Sequence, residues 1–325
     1  MGGVLQLAVQ IPVLYIKGFR LRLFQSFRHP GANIIGKLML PRLLSSCIYQ
    51  LNNFIDSIFG SLASIVGEGG VAGLYFSYRL IQFPLGIFSN ALGQAILPTF
   101  SGQALEEDLQ PLKQTLSFGL RAVFFVMLPA SVGFMVLNLP IIKTIFEGGR
   151  FDSYSTRMTA DVLFFYSIGL LAYGSNRILQ SCFFALKDTV TPTKISAVAL
   201  VLNIILNAIL MFPMRLSGLA LATSLSGIST ALILFFLLKK RLEPFDIKPI
   251  ASSFLRIVCA STGRGLVCYF LNKYGMVAGA SRAQRFFGLG AVISLGVFAY
   301  VIFCVVFRVS ELRELWQWAS QRRRI

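Results

Sequence analysis

The chain has 325 residues, 55% of them hydrophobic and only 13% charged, with a mean hydropathy of +0.72. Water-soluble domains average about 25% charged residues, so the composition excludes one and points to an integral membrane protein. The formal net charge of +17 is spread between apolar runs and not gathered on one solvated face; there it sets topology and meets anionic membrane lipids, and no nucleic-acid partner is expected.

In chain order, residues 1–16 form a short apolar stretch broken by Pro12, with no basic segment ahead of it. They read as the tail end of a helix, not as a signal peptide or a full span. A basic stretch follows, with Lys17, Arg20, Arg22, Arg28, Lys37 and Arg42 around the lone His29. Apolar runs of about 20 residues, enough to cross a bilayer, are then predicted at about 38–65, 72–100, 116–142, 159–185, 191–212, 216–238, 250–271 and 286–307. The expected fold class is all-α, a polytopic membrane bundle of about eight transmembrane helices. With the basic stretch in the cytoplasm, Lys187, Lys194, Lys239-Lys240-Arg241, Lys248, Arg308 and Arg322-Arg323-Arg324 also fall inside. Fewer basic residues fall outside: Lys143, Arg150, Arg157, Arg215, Lys273, Arg282 and Arg285. This bias predicts a cytoplasmic C-terminus. The tail from Ser310, with Leu312, Leu315, Trp316 and Trp318 beside arginines, reads as an interfacial helix.

The chain offers little for catalysis. Cys47, Cys182, Cys259, Cys268 and Cys304 lie in or beside apolar spans without metal-type spacing, as packing residues do. One histidine builds neither a zinc site nor a catalytic pair. An embedded glycosyl- or phosphotransferase would need paired carboxylates or a histidine near a membrane face; Glu106-Glu107-Asp108 sits in a short loop and reads as solvated. Neither an enzyme nor an organic cofactor is expected.

The informative residues are the polar ones inside the spans. Arg79 stands in the run Leu74-Tyr75-Phe76-Ser77-Tyr78-Arg79-Leu80-Ile81-Gln82-Phe83-Pro84-Leu85-Gly86. A guanidinium in hydrocarbon costs about 2.5–3.5 kcal/mol on insertion scales, and is tolerated where it faces water or an anion. Pro84 and Gly86 are expected to interrupt this helix, and broken helices at membrane depth line cavities. Together these features point to a transporter of anionic cargo. Asp56 lies in the first full span; Asn203 and Asn207, four apart, share a helix face, and Thr223 follows in the next span. Their oxygens and single negative charge suit a hard monovalent cation; side-chain hydrogen bonds that glue helices are the alternative. Arg177 is a second intramembrane cation, placed either to snorkel or to line a cavity. Arg256 and Arg264, eight apart on one face of a weaker span, are expected to snorkel or to mark a marginal helix.

Several ordered motifs then resemble one family. Arg79-Leu80-Ile81-Gln82-Phe83-Pro84-Leu85-Gly86, continuing through Ala91-Leu92-Gly93 to Leu97-Pro98, is similar to the eighth helix of the MurJ/MviN lipid II flippases. The loop Ile145-Phe146-Glu147-Gly148-Gly149-Arg150-Phe151-Asp152 and the turn Ala185-Leu186-Lys187-Asp188-Thr189-Val190-Thr191-Pro192 resemble signatures of the same family, and Gly2-Gly3-Val4-Leu5-Gln6-Leu7 resembles the end of its sixth helix. The resemblance weakens after about residue 245.

This resemblance implies the fold of the MOP exporter superfamily, with two six-helix lobes facing a central cavity and two appended helices. It implies residues 1–37 as the end of a truncated helix and a basic cytoplasmic loop, and 38–240 as the second lobe. Residues 241–308 would then be the appended pair and 309–325 a cytoplasmic tail. The implied function is flipping of lipid II, the undecaprenyl-pyrophosphate-linked muropeptide, across the bacterial inner membrane during cell-wall synthesis. By the same matching, Arg79 is the cavity arginine of the second lobe and Arg177 a basic position of the tenth helix. Asp56, Asn203, Asn207 and Thr223 match a sodium site described for some members. Two departures stand out. Many members carry Asp before the cavity arginine and Glu three residues after it, where this chain has Tyr78 and Gln82. The first lobe is also missing, so the chain reads as a fragment that needs it as a partner. An exporter of another polyprenyl-linked glycan or of drugs, and a non-transporting half-transporter scaffold, are the alternative readings.

Overall fold

The computed structural model describes residues 8, 11, 12, 14–16, 18, 47, 48, 50–275, 277 and 281–312. The basic residues of the stretch at 17–42 and the Trp316–Trp318 part of the tail, expected above to be a cytoplasmic loop and an interfacial helix, lie outside these residues. The chain divides into two units, Met1–Leu43 and Leu44–Ile325. In the first, residues 11, 12 and 14–16 are helical. Gly18, at φ +80°, closes that helix by donating its N–H to the Tyr15 carbonyl at 3.1 Å.

The second unit is helical. Helix α1 is described over residues 50–60 and is followed by the short α2 (Ala63–Val66). Next come α3 (Gly70–Pro84), a π-helical segment (Leu85–Asn90) and α4 (Ala91–Gln103). Then follow α5 (Gln110–Val136), the short α6 (Asn138–Phe146), α7 (Ser153–Ala185), α8 (Val190–Met214), α9 (Leu216–Arg241), α10 (Lys248–Lys273) and α11 (Arg282–Val306). Among the described residues seven helices are long and apolar enough to cross a membrane, the first being the continuous stretch Gly70–Gln103. They account for seven of the eight predicted runs; the other, at 38–65, is only partly described. The run predicted at 116–142 straddles a real break, because Leu137 leaves helical geometry between α5 and α6.

One expectation is overturned between α3 and α4. Pro84 does not interrupt the helix. Proline lacks an N–H and its ring crowds the carbonyl four residues back; here the helix widens into a π turn and continues in one 34-residue rod. The wide turn packs against α7 at Gly174, where a Cβ would lie 2.7 Å from Ser89 Oγ and 2.9 Å from Val123 Cγ1. Only glycine fits there.

Helix α7 is the centre of the unit. Its most apolar stretch is 61% buried, against 22–39% in the other six spans, with Leu163, Leu170, Ile178, Cys182 and Phe183 in the core. It runs parallel to α3 and α4: Ser77 Oγ donates to the Thr159 carbonyl at 2.8 Å, and Ser181 Oγ to the Gly93 carbonyl at 3.1 Å. Helix α8 is the least enclosed and presents Val198, Val201, Ile205 and Phe212 outward, the composition of a lipid-facing surface.

The second overturned expectation is Arg264. It does not snorkel; it is 8% exposed, between α5, α10 and α11. Pro129 in α5 removes the N–H that would bond the Phe125 carbonyl, and Tyr300 Oη from α11 donates to that carbonyl at 2.8 Å. Arg264 Nη1 donates to the Pro129 carbonyl itself. Neighbouring side chains thus satisfy carbonyls around a proline that hydrocarbon could not. Gly133 and Gly296 leave room for the guanidinium, a Cβ at Gly133 falling 3.1 Å from Arg264 Nη2. Arg256, nearer the start of α10, is exposed and donates to the Arg308 carbonyl at 2.9 Å. A buried clasp lies nearby. Glu311 accepts from Arg121 Nη1 at 2.9 Å and from Ser253 Oγ at 2.7 Å, tying α5 and α10 to the segment that follows α11.

Candidate functional site

Asp56, Asn203, Asn207 and Thr223 converge, although they come from three helices and their spacing along the chain implies no distance between them. Asp56 on α1 is 7% exposed, and Asn203 and Asn207 on α8 are fully buried. Asp56 Oδ1 accepts from Asn207 Nδ2 at 2.7 Å, and Oδ2 from Thr223 Oγ1 on α9 at 3.1 Å. Asn207 Nδ2 also donates to Asn203 Oδ1 at 3.0 Å, and Asn203 Nδ2 donates to Thr223 Oγ1 at 3.1 Å. Asn52 was missed in the sequence reading. Its Nδ2 donates to Asp56 Oδ2 at 3.2 Å, and its position one turn before Asp56 was the signal that could have found it.

This donor set fits a hard cation. Asp56 has no basic partner among the described residues, so its charge is uncompensated. Asn207 Oδ1 is a buried acceptor without a hydrogen-bond partner, and such an atom calls for a donor or a cation. The oxygens on hand are carboxylate, amide and hydroxyl, the ligands of hard ions. No group of three or more His, Cys, Asp or Glu that could hold a metal occurs among the described residues, so the chemistry of softer metals does not enter.

Arg79 is exposed, on the side of α3 away from the core. Its Nη2 donates to Tyr75 Oη at 2.8 Å, and its guanidinium carbon lies 5.0 Å from the centroid of the Tyr75 ring. Tyr75 was also missed, though it stands one turn before the arginine. Tyr78, the residue before the arginine, turns into the α7 interface, its ring 5.8 Å from that of Tyr166 in a T-shaped contact. The structure does not bring Arg177 to Arg79. Arg177 is exposed on α7 level with Gly93, its Cβ 3.5 Å from where a Gly93 side chain would begin. Gly93 lies fourteen residues beyond Arg79, which on a helix rising about 1.5 Å per residue separates the two cations by about 20 Å along the axis. A groove of about 390 Å³ lies elsewhere, between α5 and α10, with an apolar lining that includes Val132, Leu266 and Tyr269.

The loop before α7 is built tightly. Gly148 and Phe151 exchange two backbone hydrogen bonds of 3.1 Å around Gly149, whose φ is +59°. Phe151 meets Phe76 of α3 edge to face with centroids 5.9 Å apart, and Phe146 lies tilted against it at 4.8 Å, which fixes the first turns of α3. Asp152 caps α7 by accepting from the Ser155 N–H at 2.8 Å, and that bond holds its carboxyl below the usual carboxylate range.

Comparison with known proteins identifies the family. Residues 1–287 match the family model described as lipid II flippase MurJ. A probable lipid II flippase MurJ of Vibrio cholerae is 34% identical over 235 residues, covering 72% of this chain and 44% of the relative. A probable lipid II flippase MurJ of Haemophilus influenzae is 30% identical over 307 residues, 92% of this chain and 59% of the relative. A solved structure of a lipid II flippase MurJ in an inward closed conformation superposes with a TM-score of 0.69 at 26% identity, covering 88% of this chain and 57% of that one. The chain spans about half the length of the curated relatives it matches.

Proposed function

The chain belongs to the MurJ lipid II flippase family, and from that premise we propose that it forms the second half of a flippase. Its cargo is lipid II, the undecaprenyl-pyrophosphate-linked muropeptide, carried from the cytoplasmic to the periplasmic leaflet of the bacterial inner membrane for peptidoglycan synthesis. The observation that carries this reading is Arg79: a guanidinium on the exposed side of a membrane-length helix, held by a neutral partner, so that its charge stays available. A diphosphate crossing hydrocarbon needs such a partner, and guanidinium–phosphate pairs are strong and directional. Arg177, about 20 Å further along the same packed helices, is a second contact for the anionic headgroup, whose pyrophosphate and peptide carboxylates are spread over a comparable length.

In this reading residues 38–240 are the second lobe, 241–308 the appended pair, 1–37 the end of a preceding helix with its basic loop, and 309–325 a cytoplasmic tail. Alternating access requires two bodies that rock about one site; the facing body is the first lobe of the same flippase. The protein is a transporter and not an enzyme, and needs no organic cofactor. Asp56, Asn203, Asn207 and Thr223 would hold a sodium ion, which supplies a positive charge that ties α1 to α8 and α9. Without it, those residues bond to one another and leave the Asn207 oxygen unsatisfied.

The test is lipid II translocation in proteoliposomes by the complete flippase that contains this chain. Arg79→Ala is expected to abolish translocation while the protein still inserts and folds. Normal flipping by that variant overturns the reading.

A further inference from the structure

We infer that Tyr75 is the positioning residue for Arg79; this rests on the reading of Arg79 as the contact for a lipid diphosphate. An arginine on an exposed helix face has about 2 kcal/mol of rotamer entropy to lose on binding, and any partner that restrains it beforehand raises its affinity for the next. An acid would restrain it and also cancel its charge. Tyr75 restrains it and leaves the charge intact. The phenol oxygen takes one of the five guanidinium N–H donors, at 2.8 Å, and the ring lies under the guanidinium at 5.0 Å. The other donors remain for a phosphate, and the phenolic hydrogen is free to donate to the same phosphate, since the hydroxyl serves here as the acceptor.

The base of this tether is rigid. Phe76, next to Tyr75, is fixed by Phe146 and Phe151. Ser77, two residues on, is bonded to the Thr159 carbonyl. Gly73 admits Leu216 so closely that a Cβ there would lie 3.0 Å from it. The backbone under Tyr75 is therefore held by α7, α9 and the loop before α7, while the Tyr75 ring itself is exposed. The tether is a neutral, preformed clamp on a cation.

The experiment measures binding of undecaprenyl diphosphate and of undecaprenol to the 325-residue chain in lipid nanodiscs. The ratio of the two affinities isolates the headgroup. Arg79→Ala is expected to erase the preference for the diphosphate. Tyr75→Phe, which keeps the ring and loses the hydroxyl, is expected to lower it about fivefold, and Tyr75→Leu, which loses both, at least about tenfold. Undecaprenol binding should not change in either. In an Arg79→Ala background Tyr75→Leu should have no further effect, whereas a purely structural tyrosine would weaken both ligands in both backgrounds. If Arg79→Ala leaves the preference intact, the reading of Arg79 fails. If Arg79→Ala erases it and both Tyr75 variants leave it unchanged or stronger, only the tether fails. Should Tyr75→Leu not fold, the near-isosteric Tyr75→Phe decides the question alone.

Discussion

Asp56 lies between α1, α8 and α9 with both carboxylate oxygens facing amide and hydroxyl donors, while Arg264 lies between α5, α10 and α11 with its guanidinium against backbone carbonyl at a proline. Each is a buried charge without an opposite charge beside it among the described residues. The surroundings differ in kind. Around Asp56 the groups are side chains, they can exchange partners, and one acceptor, Asn207 Oδ1, is left over. Around Arg264 the acceptor is a backbone carbonyl, and the carbonyl that Pro129 frees is already served by Tyr300. A buried charge among rearrangeable donors and a spare acceptor can trade those bonds for an ion. A buried charge fixed to backbone holds helices together. The first region reads as a switch and the second as a fastening.

The comparison breaks most sharply at Asp56. Asp56→Asn removes the only formal charge in its cluster and is expected to abolish any sodium-dependent rise in thermal stability of the chain in nanodiscs, with little change in the sodium-free protein. A sodium response that survives the substitution would remove Asp56 from the proposed site. At Arg264 the expected result is the opposite. Arg264→Met keeps most of the volume but removes the buried guanidinium bond to the Pro129 carbonyl, so stability should fall by about 1–3 kcal/mol, while sodium response and diphosphate selectivity stay as they were. Loss of either property in that variant would make Arg264 part of a site and erase the contrast.

The smallest expected effect sharpens the picture at the turn between α7 and α8. Asp188 accepts from the Thr191 N–H at 3.0 Å and from Thr191 Oγ1 at 2.8 Å, and pairs with Arg241 at 2.9 Å. Burial pushes its carboxyl up, but these bonds and the Arg241 charge outweigh it, and the group is held below the usual carboxylate range. A lowered folded value means that the contribution is present above the unfolded value of about 4 and is lost as pH falls through the folded one. Arg241 is half-exposed, so the contribution is under about 1 kcal/mol. Melting curves of wild type and Asp188→Asn should differ at pH 7 and converge below about pH 4. A difference that persists in acid would mean that the turn is held by something else.

Much of the fold was legible because hydrocarbon thickness acts on one run at a time. Seven spans could be read from run length, and Arg79 and Asp56 stood out as charges inside such runs. The helix break at Pro84 was misread because a proline dictates only that a hydrogen bond is lost. Whether the helix breaks or widens depends on what packs beside it, here Gly174. Arg264 was misread for a similar reason: its sequence neighbours say that it shares a face with Arg256, but not that Pro129 waits opposite. Tyr75 and Asn52 could have been found, since each stands four residues before the charge it serves.

By itself the sequence determined that this chain crosses a bilayer repeatedly, which family it resembles, and which residue types stand at depth. Length, hydropathy and the cost of a bare charge in hydrocarbon are properties of a single segment. Only the tertiary structure decided which of those residues meet. Asn207 reaches Asp56 from 151 positions away, Arg264 reaches a carbonyl on another helix 135 positions away, and Arg177 stays far from Arg79. Such meetings depend on the angle, register and rotation of whole helices packed together, which no single run specifies.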